Sequence, residues 1–594
     1  MIGIVAATAA GRRHAEHLAA AWPDARSYPG PLVEALPRAY GECDTVAAFA
    51  ATGAVVRLVA PLLGGKQTDP GVVCVDEACR FAVPVLGGHA GGANELARRL
   101  ADVLGCTPAV TTASESTGVT ALDTFGADLG FRVADGSQLA AVGAAVLAGE
   151  RVDYVSDHVW PVPALPDNVV TAPAPEPGVP AVVVTDRAGT AGDGPRVVYR
   201  PPSLVVGVGA SSGVNVNEVE QLISAALTEA GLALAAVRHL ATADIKADEG
   251  GIVEAARRRG WPLVTYPAHE LAAATVPNPS EIVRAEVGTP SVAEAAALYG
   301  DSRDAQGGAE LVVAKRKSAM ATVAVARLHP RGRLTCIGLG PGERDLSTPR
   351  AITQLQRASV VVGLDQYLDQ IRDVLRPGTR ALSSGLGAEA ERARAAVDEA
   401  RSGHAVALVG SGDAGIYAMA SPALEEADAT IDVTGVPGVT AALAASSLLG
   451  APLGHDHAYI SLSDLHTPRE AIERRVLAAA QGDFAVVFYN PKSRARDWQL
   501  GAALETLAAH RPPRTPVGIV RNASRGDESA TVTSLDRADL SEVDMFTVVF
   551  VGSSQTRVVG GRMVTPRGYR WRYQPPTDAQ PDQVRKPHSE GEPA

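Results

Sequence analysis

Short unbroken apolar runs recur along this chain, and many of them end in a glycine-bearing loop before apolar residues resume at helical spacing. That alternation predicts α/β domains built on parallel or mixed sheets. The clearest early unit is 71–105. Val72 to Val75 reads as a strand, Asp76 to Arg80 as a tight turn and Phe81 to Leu86 as a second strand; a loop from Gly87 to Asn94 then leads into an amphipathic helix, Glu95 to Leu104, which Gly105 stops. Asn94 is placed to cap that helix. A further unit opens with a strand from Leu204 to Val208, the loop Gly209-Ala210-Ser211-Ser212-Gly213 and a helix from about Asn217 to Gly231. Between these units the chain is rich in Pro, Ala, Asp and Val, most linker-like at Ala172-Pro173-Ala174-Pro175-Glu176-Pro177, and predicts a small insert of short strands and loops. A short basic hinge, Leu328 to Arg333, separates the halves. The expected boundaries are 1–130, 131–202, 203–327 and 333–572, followed by a polar, disordered tail over 573–594.

The stretch that organises the second half is Ala405 to Tyr417. A buried strand, Ala405 to Val409, runs into Gly410-Ser411-Gly412-Asp413-Ala414-Gly415, where glycines let backbone approach a ligand and the carboxylate can accept from hydroxyl or ammonium groups. Alone this is a weak signal, since Gly-rich βα turns are common. Its neighbours strengthen it. Gly338-Leu339-Gly340-Pro341-Gly342 follows Leu334 to Ile337; Val436-Pro437-Gly438-Val439-Thr440-Ala441-Ala442 opens an Ala/Leu-rich helix; Phe488-Tyr489-Asn490-Pro491 and Val520-Arg521-Asn522-Ala523-Ser524 end two more runs. Such loops fit one crevice at the carboxyl edge of an open α/β sheet.

Composition narrows the class. The 594 residues exceed one core, and no apolar segment approaches a membrane span. Met1 leads directly into the strand-like Ile2 to Ala6, so neither a secretory leader nor a membrane location is expected, and the chain reads as cytoplasmic. A net charge of −12 argues against nonspecific nucleic-acid binding. The odd cysteines Cys43, Cys74, Cys79, Cys106 and Cys336, without a C-x-x-C pair, give no disulfide framework and no metal site. Lysine is rare: Lys66, Lys246, Lys315, Lys317, Lys492 and Lys586 are all there are, and most lie in loop-like stretches where a compact ammonium is useful.

His89 sits among Gly87, Gly88, Gly91 and Gly92, ahead of a helix whose first N–H groups would face the loop. An imidazole there can take a proton from water while N–H groups receive an oxyanion. Further on, Asp244-Ile245-Lys246-Ala247-Asp248-Glu249, Pro277-Asn278-Pro279-Ser280-Glu281 and Lys315-Arg316-Lys317-Ser318 are loop-like, while Ser291 and Glu294 are spaced as a capping box at a helix start.

In this order the second-half loops resemble the S-adenosylmethionine-dependent tetrapyrrole methyltransferases, over about residues 333 to 572. Ser463-Asp464-Leu465-His466-Thr467-Pro468 and Phe488-Tyr489-Asn490-Pro491-Lys492-Ser493 look like the precorrin-3B C17-methyltransferase branch. The resemblance implies a two-lobed methyltransferase fold, S-adenosyl-L-methionine as cofactor, and a homodimer. It implies cofactor contacts at Pro341, Gly412, Asp413, Ile416, Thr440, Ala441, Asn490 and Ala523, with Asp464 or His466 assisting the chemistry. The first 327 residues resemble cobalt-precorrin-5A hydrolase through Lys66 to Pro70, Val75-Asp76-Glu77, Gly88 to Asn94, Ile245 to Glu249 and Lys315 to Ser318. That resemblance implies lactone opening with release of acetaldehyde, with His89 and Lys246 as catalytic candidates. One loop departs from it, since Ala210, Ser211 and Ser212 stand where cationic residues are usual. The expected substrates are flat corrin precursors rimmed by carboxylates, which Lys246, Lys315, Arg316, Lys317, Lys492, Arg494 and Arg521 could receive. The alternative is a methyltransferase fused to a non-catalytic tetrapyrrole-binding module.

Overall fold

The computed structural model describes residues 1–65, 68–88, 91–111, 117–189, 193–299, 309–493 and 497–567. The expectations for Lys66, His89, Arg494 and the tail at 573–594 lie outside them. The chain forms two compact units. One comprises 1–337, 349–410 and 419–436, and the other 338–348, 411–418 and the chain from Pro437 onward.

The first unit holds four sheets. In the first, Ala25–Tyr28, Ile2–Ala6, Thr45–Phe49 and Gly71–Val75 lie side by side and parallel, and Phe81–Leu86 returns antiparallel beside Gly71–Val75. Both faces are covered: Ala47, Phe49, Val73 and Val75 pack with Leu18, Leu96 and Leu100, while Val46, Ala48, Val72 and Cys74 pack with Leu36, Val55 and Val59. Double-sided burial explains why these strands read as unbroken apolar runs rather than alternating ones. The predicted turn is closed by Asp76, whose Oδ1 accepts from the N–H groups of Arg80 and Phe81 at 2.7 Å each. The next helix starts earlier than expected, at Ala93. Its cap is Gly92 at φ 76°, so Asn94 is not the cap but a buried first-turn residue whose N–H donates to Gly88 O at 2.8 Å.

The central stretch builds a five-stranded sheet, in the order Arg132–Val133, Arg196–Arg200, Ala181–Val184, Val152–Ser156 and Val169–Thr171, with the helix Leu139–Ala148. Leu122, Phe125, Phe131, Val182 and Tyr199 form its core. This layer also meets the start of the second half within the same unit. Arg376 donates to the carbonyls of Gly118 and Val119 at 3.3 and 3.2 Å, and Arg333 pairs with Asp128 at 2.8 Å. Gly378, at φ 83°, leaves no room for a side chain against the Leu165 carbonyl.

In the third sheet Leu263–Tyr266, Val237–Ala243 and Leu204–Ala210 are parallel, and Ala321–Leu328 and Ala309–Lys317 follow antiparallel. The fourth runs Arg380–Ser384, Val360–Leu364, Ala405–Gly410, Arg333–Gly338 and Asp432–Val436. The loops that leave its carboxyl edge belong to the second unit.

That second unit contains the sheet His457–Ser461, Ala485–Tyr489, Thr547–Val551, Pro516–Arg521 and Ser529–Ser534, plus a small sheet of Gly450–Ala451, Arg562–Val564 and Arg557–Val559. The protein is thus a multidomain α/β chain. Among the described residues no helix is long and apolar enough to cross a membrane, and all five cysteines are free thiols.

Candidate functional site

The glycine loops of the second unit form a knot of bare backbone. Gly340 and Gly412 exchange N–H···O bonds of 3.0 and 2.7 Å. A Cβ on Gly338 would stand 2.6 Å from the Gly412 carbonyl oxygen, and one on Gly438 would stand 2.6 Å from the Gly338 oxygen, so only glycine fits at the three-way contact. Asp413 fastens the knot. Its Oδ1 accepts from Gly415 N at 2.8 Å and its Oδ2 from Gly438 N at 3.0 Å. Each carboxylate oxygen keeps acceptor capacity beyond that bond.

The structure brings the expected cofactor positions into this unit. Pro341 and Gly412 lie in the two bonded loops, Ile416 N donates to Asp413 O at 3.2 Å, and Thr440 is the N-cap of the helix Ala441–Leu449. The residue that joins Thr440 to the Asn490 loop is Tyr489, which the sequence places in a motif without a role of its own. Its hydroxyl lies 2.6 Å from Thr440 Oγ1 and accepts from Ala442 N at 2.9 Å, filling the capping role that the Thr440 side chain leaves open. Burial raises the Tyr489 pKa. Tyr417 and Tyr459 flank it, with ring centroids 5.3 and 5.8 Å from that of Tyr489. Asn490 Nδ2 donates to Ser461 Oγ at 3.0 Å, and Ala523 is buried against Ala442 and Val487. Tyr417, Asn490, Asn522 and Ser524 all have positive φ, between 51° and 60°, a strain that collects at functional loops.

Asp464 follows the strand His457–Ser461, in the loop that Ser461 ties to Asn490. It lines a cavity of about 510 Å³ between the helices Arg469–Gln481 and Gln499–Ala508, together with Arg469, Trp498 and Gln499, whose amide nitrogen lies 3.3 Å from Asp464 Oδ2. His466 is exposed. Arg521, expected to receive substrate carboxylates, is already paired with Asp544 at 2.8 Å and Asp527 at 3.0 Å, which raise its pKa further.

In the third sheet of the first unit, three loops meet at one edge. Lys246 ends the single turn Asp244–Lys246, and Glu249, just beyond it, accepts from Gly213 N at 2.9 Å. Ser211 N donates to Met320 O at 2.9 Å, and Glu218 accepts from Ser318 Oγ and Met320 N at 2.6 and 2.7 Å. Arg316 is held in a surface pair with Glu229 at 3.1 Å. Glu294 departs from the capping-box expectation. Ser291 Oγ does accept from Glu294 N, at 3.4 Å, but the fully buried Glu294 carboxylate takes the Asn278 N–H at 3.1 Å, the Asn278 amide at 2.7 Å and the Lys315 N–H at 3.0 Å. Lys315 Nζ in turn donates to the Asn278 carbonyl. Three motifs separate in sequence are thereby one cluster.

Comparison with known proteins assigns both halves. Residues 333–539 match the tetrapyrrole (corrin/porphyrin) methylases, while 34–115, 120–201 and 204–326 match the N-terminal, central and C-terminal regions of cobalamin synthesis G proteins. A probable cobalt-factor III C(17)-methyltransferase of Salmonella typhimurium is 45% identical over 239 residues, covering 40% of this chain and 99% of that protein. A precorrin-3B C(17)-methyltransferase of a Sinorhizobium species is 40% identical over 234 residues, covering 38% of this chain and 91% of the relative. The crystal structure of the methyltransferase CobJ aligns over 40% of this chain and all of its own, at 39% identity and a TM-score of 0.38. Of other curated relatives the chain spans only about half the length. The chain belongs to the tetrapyrrole (corrin/porphyrin) methylases, as a fusion whose first part matches all three regions of the cobalamin synthesis G proteins.

Proposed function

We propose that the second half methylates carbon 17 of a corrin precursor, precorrin-3B or its cobalt counterpart, with contraction of the ring, using S-adenosyl-L-methionine. The observation that carries this reading is the side-chain-free knot of Gly338, Gly340, Gly412 and Gly438 with a carboxylate at its centre, in a half of the chain that is 45% identical over 239 residues to a probable cobalt-factor III C(17)-methyltransferase. The cradle fits the cofactor. Bare backbone admits a flat nucleoside closely, and Asp413 has acceptor capacity for hydroxyl or ammonium groups. Pro341, Gly412, Asp413, Ile416, Thr440, Ala441, Asn490 and Ala523 would hold it. When bound it supplies a methyl group on a positive sulfur. The protein's own part is placement, because alignment of donor and acceptor carbons contributes most of the rate in such a transfer. Asp464 is proposed to assist from the substrate side. Mass analysis of products from the full chain with each precursor, with and without cofactor, tests the reading; no gain of a methyl group on either precursor would sink it. Asp413→Ala should weaken cofactor binding by about 1–3 kcal/mol.

The first half is proposed to open the lactone of cobalt-precorrin-5A and release acetaldehyde. His89 would act as general base, and Lys246 with the Lys315 cluster would receive substrate carboxylates. Support comes from the three matched cobalamin synthesis G regions and from the convergence of the Lys246, Ser211 and Ser318 loops at one sheet edge. His89→Ala should reduce acetaldehyde release by about 10²–10⁴-fold and leave methylation intact. A wild-type chain that binds the precursor and releases no acetaldehyde would instead support a non-catalytic binding module.

A further inference from the structure

The hairpin between Pro516–Arg521 and Ser529–Ser534 is closed by a braced loop. Asn522 and Ser524 are held at φ 51° and 60°, a region that residues other than glycine enter seldom and asparagine most readily. Three bonds supply the bracing: Asn522 Nδ2 to Asp527 Oδ2 at 2.8 Å, Ser524 N to Glu528 Oε2 at 2.6 Å, and Arg525 N to Asn522 O at 3.0 Å. Such bracing fixes where Arg525 emerges. Its Nε donates to the Pro341 carbonyl at 3.1 Å and its Nη2 to Ser411 Oγ at 3.4 Å. The stem crosses Gly342, where a Cβ would stand 2.7 Å from Arg525 Cγ.

One guanidinium therefore joins the proline loop to the start of the aspartate loop, while Asp413 joins the aspartate loop to Gly438. Two charged side chains, more than a hundred residues apart in sequence, hold the same knot. A planar fork can serve two acceptors at once in fixed geometry, which a lysine ammonium cannot.

We propose that Arg525 is a positioning residue of the cofactor site, holding the Pro341 and Ser411 loops at the spacing that S-adenosylmethionine requires. This rests on the cofactor reading above and adds a residue to it. Cofactor affinity, not the chemical step, then depends on the guanidinium.

The test uses the full chain with Arg525→Ala and Arg525→Lys, titrated with S-adenosylhomocysteine by calorimetry. Arg525→Ala should bind about 10–100-fold more weakly, with Arg525→Lys between it and wild type. The KM for the cofactor should rise while kcat at saturation stays within about threefold, and added guanidinium salt should restore part of the loss. An Arg525→Ala affinity within about twofold of wild type overturns the proposal, as does a collapse of kcat at unchanged KM. If the alanine variant does not fold, an Arg525→Lys affinity equal to wild type overturns it. Wild-type protein that fails to bind the ligand defeats the cofactor reading instead. Hydrogen exchange then decides the clamp by itself: amides at 338–342 and 411–415 should exchange faster in Arg525→Ala, and unchanged exchange would count against it.

Discussion

The glycine knot and the Glu294 cluster solve one problem, that of holding three segments together, by different means. In the knot, main chains touch directly and the side chains are missing: Gly338, Gly412 and Gly438 approach so closely that a single carbon added to Gly338 or Gly438 collides. Around Glu294, one buried side-chain carboxylate reaches from a helix to a loop and a strand, collecting three N–H groups from Asn278 and Lys315. Backbone contact gives a rigid surface with few ways to relax. A side-chain hub gives a joint whose failure leaves several buried donors unpaired at once.

The largest effect expected from this contrast is at the knot. Gly438→Ala should abolish measurable cofactor binding, since the new methyl has only backbone to push against; calorimetry on the full chain that finds wild-type affinity would show that the knot can yield. Next comes the hub. Glu294→Ala should destabilise the domain around 204–328 by about 2–4 kcal/mol, and Glu294→Gln should do nearly as badly, because an amide nitrogen would face donors. Chemical denaturation followed at Trp261, which packs in that core, measures it. A well-tolerated glutamine would mean that the hub needs shape rather than acceptors. Tyr489→Phe should be milder, weakening the cofactor site by about 1 kcal/mol, because Ala442 N and Thr440 each lose one partner while the ring still packs.

The smallest effect lies at the hinge, outside both regions. Burial, then His329 at a ring separation of 5.4 Å and Arg327, lower the His158 pKa. The folded state thus prefers the neutral ring, and its contribution to stability is present above the ordinary histidine value of about 6.5 and declines as pH falls through that value. Melting at pH 7.5 and 5.5 should show the loss, and His158→Gln should reduce it.

Much of the fold was legible because double-sided burial writes itself as apolar runs, and the knot was legible because its glycines follow those runs directly. The hub was not. Ser291 and Glu294 have capping-box spacing, and only the return of Asn278 and Lys315, 16 and 21 residues distant in the chain, redirects the carboxylate. The role of Tyr489, named only as part of a motif, and Arg525 altogether are hidden for the same reason: their partners, Thr440 and Pro341, lie 49 and 184 residues away. The start of the helix at Ala93 is hidden in the sequence because Gly92 caps with a left-handed turn, whereas a polar side chain such as Asn94 is the commoner cap.

The seat of Gly378 against the Leu165 carbonyl sets an order of events during synthesis. Leu165 leaves the ribosome roughly 200 residues ahead of Gly378, a lead of about 10–40 s at ordinary elongation rates. On that timescale the central layer is free to fold first and to stand as a template for the nascent methylase segment. A version of this protein with its halves exchanged would lose that head start, and the Arg376 and Gly378 surface would emerge with nothing yet made to receive it.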